Sequence, residues 1–161
     1  MRISAKADYA VRAALELAAS PDRAPVKGTK LAEAQEIPLQ FLEQILLELK
    51  RSGIVATKRG ARGGYWLARP PEKITVADVI RAVEGPLANI HELTPEETRY
   101  VGSARRLRDV WIAVRVNLRA VLEEVNLAEL TAGELPESVA ALIDEPGAWI
   151  QRETGTHDIV R

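Results

Sequence analysis

Residues 54–68 constrain this chain more than any other stretch. Ile54-Val55-Ala56-Thr57-Lys58 and Tyr65-Trp66-Leu67-Ala68 are rich in β-branched and aromatic residues, and between them lies Arg59-Gly60-Ala61-Arg62-Gly63-Gly64. Two such flanks around a glycine-rich middle predict a β-hairpin with a long basic tip. Glycine permits positive φ and lets the backbone approach another surface closely. A phosphate-binding loop is the rival, but the P-loop's Lys-Ser/Thr ending and the dinucleotide fingerprint are both missing, and a strand rather than a helix follows. The hairpin reads as a wing that projects arginines.

Upstream the pattern is helical. Ser4 is placed to cap a helix bearing Ala7, Ala10, Val11, Ala14, Leu15 and Ala18 at helical spacing, which Ser20-Pro21 stops. A loop runs to Gly28. Thr29 is expected to cap a short helix through Leu31, Ala32 and Ala34, and Ile37-Pro38 breaks and restarts the chain. The third helix spans Leu39 to Arg51, with Lys50 and Arg51 in its last turn and Gly53 as its stop. Leu42, Ile45, Leu46 and Leu49 follow i, i+3, i+4, i+7 spacing and face a core. Gln40, Glu43, Gln44 and Leu47 form the opposite row. That row is either a solvated face or a set of amides flanking a carboxylate that suits base edges.

Downstream, Thr75 caps a helix with Val76, Val79, Ile80 and Val83 on one face, ended by Glu84-Gly85-Pro86-Leu87. Residues 88–102 read as loop, with one helical turn at Thr94-Pro95-Glu96-Glu97. Ser103 is expected to open the longest helix, over 103–126, with Leu107, Val110, Trp111, Val114, Leu118, Val121, Leu122 and Val125 as its apolar stripe. Beyond Thr131 the tail is punctuated by Gly133, Pro136, Pro146 and Gly147, with a short helix around Val139-Ala140-Ala141-Leu142-Ile143. The expected fold class is mainly α with a small β-hairpin wing.

Composition removes several function classes. The 161 residues include no Cys, so disulfides, thiolate metal sites and a cysteine nucleophile are excluded. No apolar run approaches the roughly 18–20 residues that span a bilayer, and the N-terminus carries charge where a signal peptide would be apolar. A soluble cytoplasmic protein, away from membranes, is the expectation. No nucleophile motif, metalloprotease helix or P-loop is present, and two His make His-based acid–base chemistry a poor fit, so the chain is not read as an enzyme. The net charge of −1 conceals an asymmetry. Residues 1–73 hold 13 Lys and Arg against 8 Asp and Glu, whereas residues 74–161 hold 9 against 15. The first part is suited to an anionic partner.

Helix, helix, helix and basic hairpin is the element order of a winged helix-turn-helix, and the residues resemble the Rrf family of bacterial transcription regulators, the group of the IscR, NsrR and CymR types. The resemblance is carried by Ile3-Ser4-Ala5-Lys6-Ala7-Asp8-Tyr9-Ala10-Val11, Phe41-Leu42-Glu43-Gln44-Ile45-Leu46, Arg59 to Ala68, Ile74-Thr75-Val76-Ala77-Asp78-Val79-Ile80, Glu84 to Leu87 and Leu127-Ala128-Glu129-Leu130. It runs from residue 1 to about 131. It implies a winged helix-turn-helix DNA-binding domain over 1–73, a segment over 74–131 with connecting helix, sensor-type loop and long dimerisation helix, and a C-terminal extension over 132–161. It also implies a homodimer on a palindromic operator of double-stranded DNA, with the stripe from Leu107 to Val125 at the interface. Gln40, Glu43 and Gln44 resemble the residues facing the major groove. Arg59 resembles the wing arginine of the minor groove, where a narrow groove concentrates negative potential. Arg2, Lys6, Lys50, Arg51, Lys58 and Arg62 are then candidates for phosphate contacts, and Gly60, Gly63 and Gly64 shape the tip.

The family's cluster-binding members carry three cysteines in the loop corresponding to residues 88–106. This chain offers only His91, Glu92, Glu96 and Glu97 there, with Asp8 at the position resembling an extra ligand. The expectation is a regulator, most simply a repressor, with neither an iron–sulfur cluster nor any other metal. A small molecule or partner protein supplies its signal, and a pocket between the long helix and the winged domain could admit it. Trp66 and Trp111 line such a pocket or belong to the core. The alternative is a protein-interaction module that kept the fold and lost operator binding.

Overall fold

In a computed structural model the described residues are 2–88, 94 and 96–150. Helix α1 (Ala5–Ala18) begins where Ser4 Oγ accepts the Ala7 N–H at 3.0 Å. It buries Ala7, Ala10, Ala13, Ala14 and Leu17. Four alanines on one face let neighbouring backbones come close. Helices α2 (Gly28–Gln35), α3 (Leu39–Arg51), α4 (Val76–Glu84) and α6 (Leu127–Ala132) all pack on α1. Ile74, Val79, Val83 and Leu127 join Leu31, Leu42, Leu46 and Leu67 in one core, so hydrophobic packing runs without a break across residue 73.

Strands β1 (Val55–Lys58) and β2 (Gly64–Leu67) pair antiparallel, from Val55 opposite Leu67 to Lys58 opposite Gly64. Val26 adds a third rung: its N–H and carbonyl exchange 2.8 Å hydrogen bonds with Tyr65. This rung explains one departure from expectation. Holding Val26 extended leaves Lys27 as the residue before α2, so the helix starts at Gly28 and Thr29 lies inside it rather than capping it. The two strands and this rung form the hairpin wing of a mainly α, winged helix-turn-helix fold.

The expected helix over 103–126 is shorter at both ends. Gly102–Ala104 forms a separate 3₁₀ turn, and helix α5 runs Leu107–Leu122, with Arg106 at its cap position and no side-chain cap. Ser103 therefore caps nothing. After α5 the chain extends: the Val125 carbonyl accepts from the Val76 N–H at 2.9 Å, and the Leu127 N–H donates to Ile74 at 3.0 Å. Val125 is thus past the helix end and 5% exposed within its own chain, which removes it from the outward stripe. Asn126 and Glu129 then form a reciprocal capping box that opens α6, a six-residue helix too short to show an apolar period in the sequence. Helix α7 (Glu137–Ile143) extends the anticipated short helix of the tail by two residues at its start.

Candidate nucleic-acid interface

Helix α3 separates its two rows cleanly. Leu42, Ile45, Leu46 and Leu49 are buried, whereas Gln40, Glu43, Gln44 and Leu47 are exposed. The turn from α2 is made by Glu36 in left-handed conformation (φ 53°), followed by buried Ile37 and by Pro38 at the cap of α3. The start of α3 is held against α1 by aromatic contact. Phe41 meets Tyr9 edge to face at 5.8 Å and 86°. Arg12 lies over the other side of this cluster, 5.4 Å from the Tyr9 ring centre, and also donates to the Gln35 side chain and carbonyl at the end of α2. Arg12 therefore ties α1 to α2, and Tyr9 ties α1 to α3.

The wing tip is shaped by close backbone approach. A Cβ on Gly63 would stand 2.0 Å from the Lys58 carbonyl oxygen, and one on Gly64 would stand 2.6 Å from that of Val26. Only glycine fits at either place. The Gly63 N–H closes the tip on Gly60 at 3.0 Å, and Lys27 Nζ reaches the Gly60 carbonyl at 2.8 Å, fastening the wing to the start of α2. Lys58, Arg59, Gly60 and Arg62 are exposed, as are Lys50 and Arg51 at the end of α3.

Two of the proposed phosphate-contacting residues are placed otherwise. Lys6 is engaged inside the fold: its ammonium pairs with Glu48 of α3 at 2.8 Å and donates to the Val83 carbonyl at 2.7 Å. It joins α1, α3 and α4 and is removed from the phosphate set. Arg2 lies at the mouth of a cleft of about 570 Å³ with Ile80, Glu84, Leu87, Leu118 and Leu122, between α4 and α5. That cleft occupies the place expected for a signal pocket, yet neither Trp66 nor Trp111 lines it. Trp111 instead donates its indole N–H to the Tyr100 hydroxyl at 3.2 Å.

The fold and the comparisons agree. The Rrf2 family, described as iron-dependent transcriptional regulators, matches residues 3–133. The chain belongs to the Rrf2 family. A protein of Mycobacterium tuberculosis named as an HTH-type transcriptional regulator is 48% identical over 145 residues, covering 90% of both chains. The HTH-type transcriptional regulator CymR of Bacillus subtilis is 33% identical over 132 residues, covering 82% of this chain and 91% of that one. Among solved structures, B. subtilis CymR, titled the global cysteine regulator, superposes with a TM-score of 0.70 at 30% identity, covering 83% of this chain and 98% of that one. T. potens IscR gives 0.68 at 32% identity, covering 83% and 88%. Rrf2 proteins are transcriptional regulators rather than enzymes, and no helix among the described residues is long and apolar enough to cross a membrane.

The family description implies iron, and the donor set of this Rrf2 chain does not fit an iron–sulfur cluster. There is no thiolate in the sequence. Among the described residues no group of three or more His, Cys, Asp or Glu could hold a metal ion. Asp8 pairs with Arg12 at 3.3 Å, Glu97 accepts the Thr94 N–H at 2.8 Å, and Glu96 takes both terminal nitrogens of Arg115. His91, Glu92 and His157 lie outside the described residues.

The Glu96–Arg115 pair fastens the loop to α5. The Arg115 hydrogen bonds, then the bond from the residue's own backbone N–H, with smaller help from Thr94, hold the Glu96 carboxyl well below its usual 4.5, at about 2. A depressed acid stabilises the fold above its ordinary value and loses that contribution as pH falls through the lowered one. The tether should therefore be indifferent to pH between 5 and 8 and release between about 4.5 and about 2. Trp111 emission, reporting its bond to Tyr100, should follow that release, and Glu96→Gln should abolish the transition. An unchanged emission profile in Glu96→Gln would refute the assignment.

Proposed function

We propose that this Rrf2 protein is a sequence-specific repressor. It acts as a homodimer on a palindromic operator and works without an iron–sulfur cluster. The observation that carries the reading is α5: a 16-residue helix with no buried residue, whose Val110 is 51% and Leu107 37% exposed. An amphipathic helix of this kind requires a partner for its apolar face. Val110, Val114, Leu118, Val121 and Leu122, with Leu142 of α7, line an open apolar groove of about 610 Å³. A second α5 supplies the matching surface, since a two-fold interface places the same patch on both sides. Two α3 helices and two wings then address two half-sites, and the dimer blocks the promoter it covers. The expected species in sedimentation is a dimer at micromolar concentration, binding one palindromic duplex per dimer after anaerobic purification with no added iron or sulfide. A monomer, or a protein that binds duplex only after cluster reconstitution, would overturn the reading.

Within this complex, Arg59 enters the minor groove, Gln40, Glu43 and Gln44 face base edges, and Lys50, Arg51, Lys58 and Arg62 touch phosphate. Arg59→Ala should cost about 1–3 kcal/mol on the operator and lower the salt slope by about one. Glu43→Ala should widen the range of accepted sequences with little change in slope, because a carboxylate among base edges repels wrong sites. Arg62→Ala should weaken all sequences about equally. Fluorescence anisotropy on operator and scrambled duplexes at several salt concentrations separates the three patterns. Unchanged discrimination in both Arg59→Ala and Glu43→Ala would remove these residues from the interface.

A further inference from the structure

A second basic feature lies apart from the helix-turn-helix. Where the loop meets the start of α5, Arg99, Arg105 and Arg108 line a cleft of about 360 Å³ together with Tyr100, Glu96 and Glu97. Both carboxylates are already engaged, Glu96 by Arg115 and Glu97 by the Thr94 N–H and hydroxyl. Arg115 balances the Glu96 charge, whereas Glu97 is bonded by neutral groups and keeps its own, so the lining sets three guanidinium groups against one unbalanced carboxylate. Arg106, between them in sequence, pairs with Asp109 at 2.8 Å, whereas no ion pair forms at Arg99, Arg105 or Arg108 among the described residues. The Tyr100 oxygen accepts the Trp111 indole N–H at 3.2 Å, which leaves the phenol hydrogen to donate elsewhere.

We propose that this cleft binds a small molecule bearing two or more anionic groups, carboxylate or phosphate. Three guanidinium groups match several separated negative charges, and each engages a planar carboxylate or phosphate face through two hydrogen bonds. A concave site near 360 Å³ falls at the small end of ligand pockets and admits a compact metabolite, not the phosphate row of a duplex. The bound anion joins the loop to α5, the helix that carries the apolar groove.

The experiment is titration calorimetry on the full chain in chloride buffer, with citrate and inorganic pyrophosphate as probes. At least one probe should saturate at one site per chain. Arg105→Gln and Arg108→Gln should each weaken it at least tenfold, while Arg106→Gln leaves it unchanged. Circular dichroism melts verify that all three variants are folded. Absence of saturable heat with both probes overturns the proposal. So does saturation that survives Arg105→Gln and Arg108→Gln, or that falls equally in Arg106→Gln. No DNA enters the measurement, so its failure is distinct from failure of the repressor reading.

Discussion

Replacing Val114 with Glu should convert the proposed dimer into a monomer. Val114 lies in the middle of α5 and in the wall of its apolar groove, where a partner's helix would exclude water. Burying an unpaired carboxylate costs several kcal/mol, and a two-fold interface buries two of them. At 1.4 kcal/mol per factor of ten, the dimer should weaken by about 1000-fold or more. Because no residue of α5 is fully buried within its own chain and Val114 is only half-buried there, the fold of the monomer should survive with little loss of melting temperature. Sedimentation together with a thermal melt tests both halves: a dimer that persists, or a monomer that unfolds, contradicts the interface. Binding to a palindrome should fall with dimerisation, whereas binding to a single half-site should remain weak and unchanged.

The second large effect belongs to the wing. Gly63→Ala places a methyl group 2.0 Å from the Lys58 carbonyl, an obstacle of backbone rather than of a movable side chain. The tip must open to accept it. Forcing an extra methyl into a filled site costs typically 1–3 kcal/mol, and here the strain falls on four-residue strands at the edge of the molecule. The expected outcome is a core that melts nearly as before and a wing whose Arg59 is no longer aimed, with operator affinity lowered at least tenfold. Hydrogen exchange at the amides of position 63 and Tyr65 should rise while exchange in α1 does not. Operator affinity equal to that of the wild type would show that the tip's shape is irrelevant to binding.

Legibility in the sequence followed the strength of local signals. The bounds of α3, its buried row and its exposed row were readable because a 3.6-residue period, a proline start and a glycine stop coincide at Pro38, Leu42 to Leu49 and Gly53. Ser4 and Thr75 were readable as caps because each precedes a strong apolar period. Thr29 and Ser103 carry the same chemistry but lie where tertiary bonds decide the helix start: the Val26–Tyr65 rung in one case, a separate turn at Gly102–Ala104 in the other. Helix α6 was missed although Asn126 and Glu129 spell a capping box, a signal present in the chain but short. The candidate site was partly legible. Exposure of Arg59 and Glu43 followed from pattern, but the capture of Lys6 by Glu48 and the Val83 carbonyl joins residues 42 and 77 positions apart, which no local spacing reveals.

That capture has a mechanical consequence. Lys6 clasps α1, α3 and α4, and Arg12 clasps α1 to the end of α2, so each DNA-reading head has its helices fastened to one another. In the proposed dimer, the pair behaves as a calliper with solid jaws: a signal arriving at α5 can alter only the gap and the angle between jaws. One base pair inserted between half-sites shifts them by about 3.4 Å and turns them by about 35°. Operators lengthened or shortened by a single pair at their centre would then rank the protein's states, each state gripping the spacer that matches its setting.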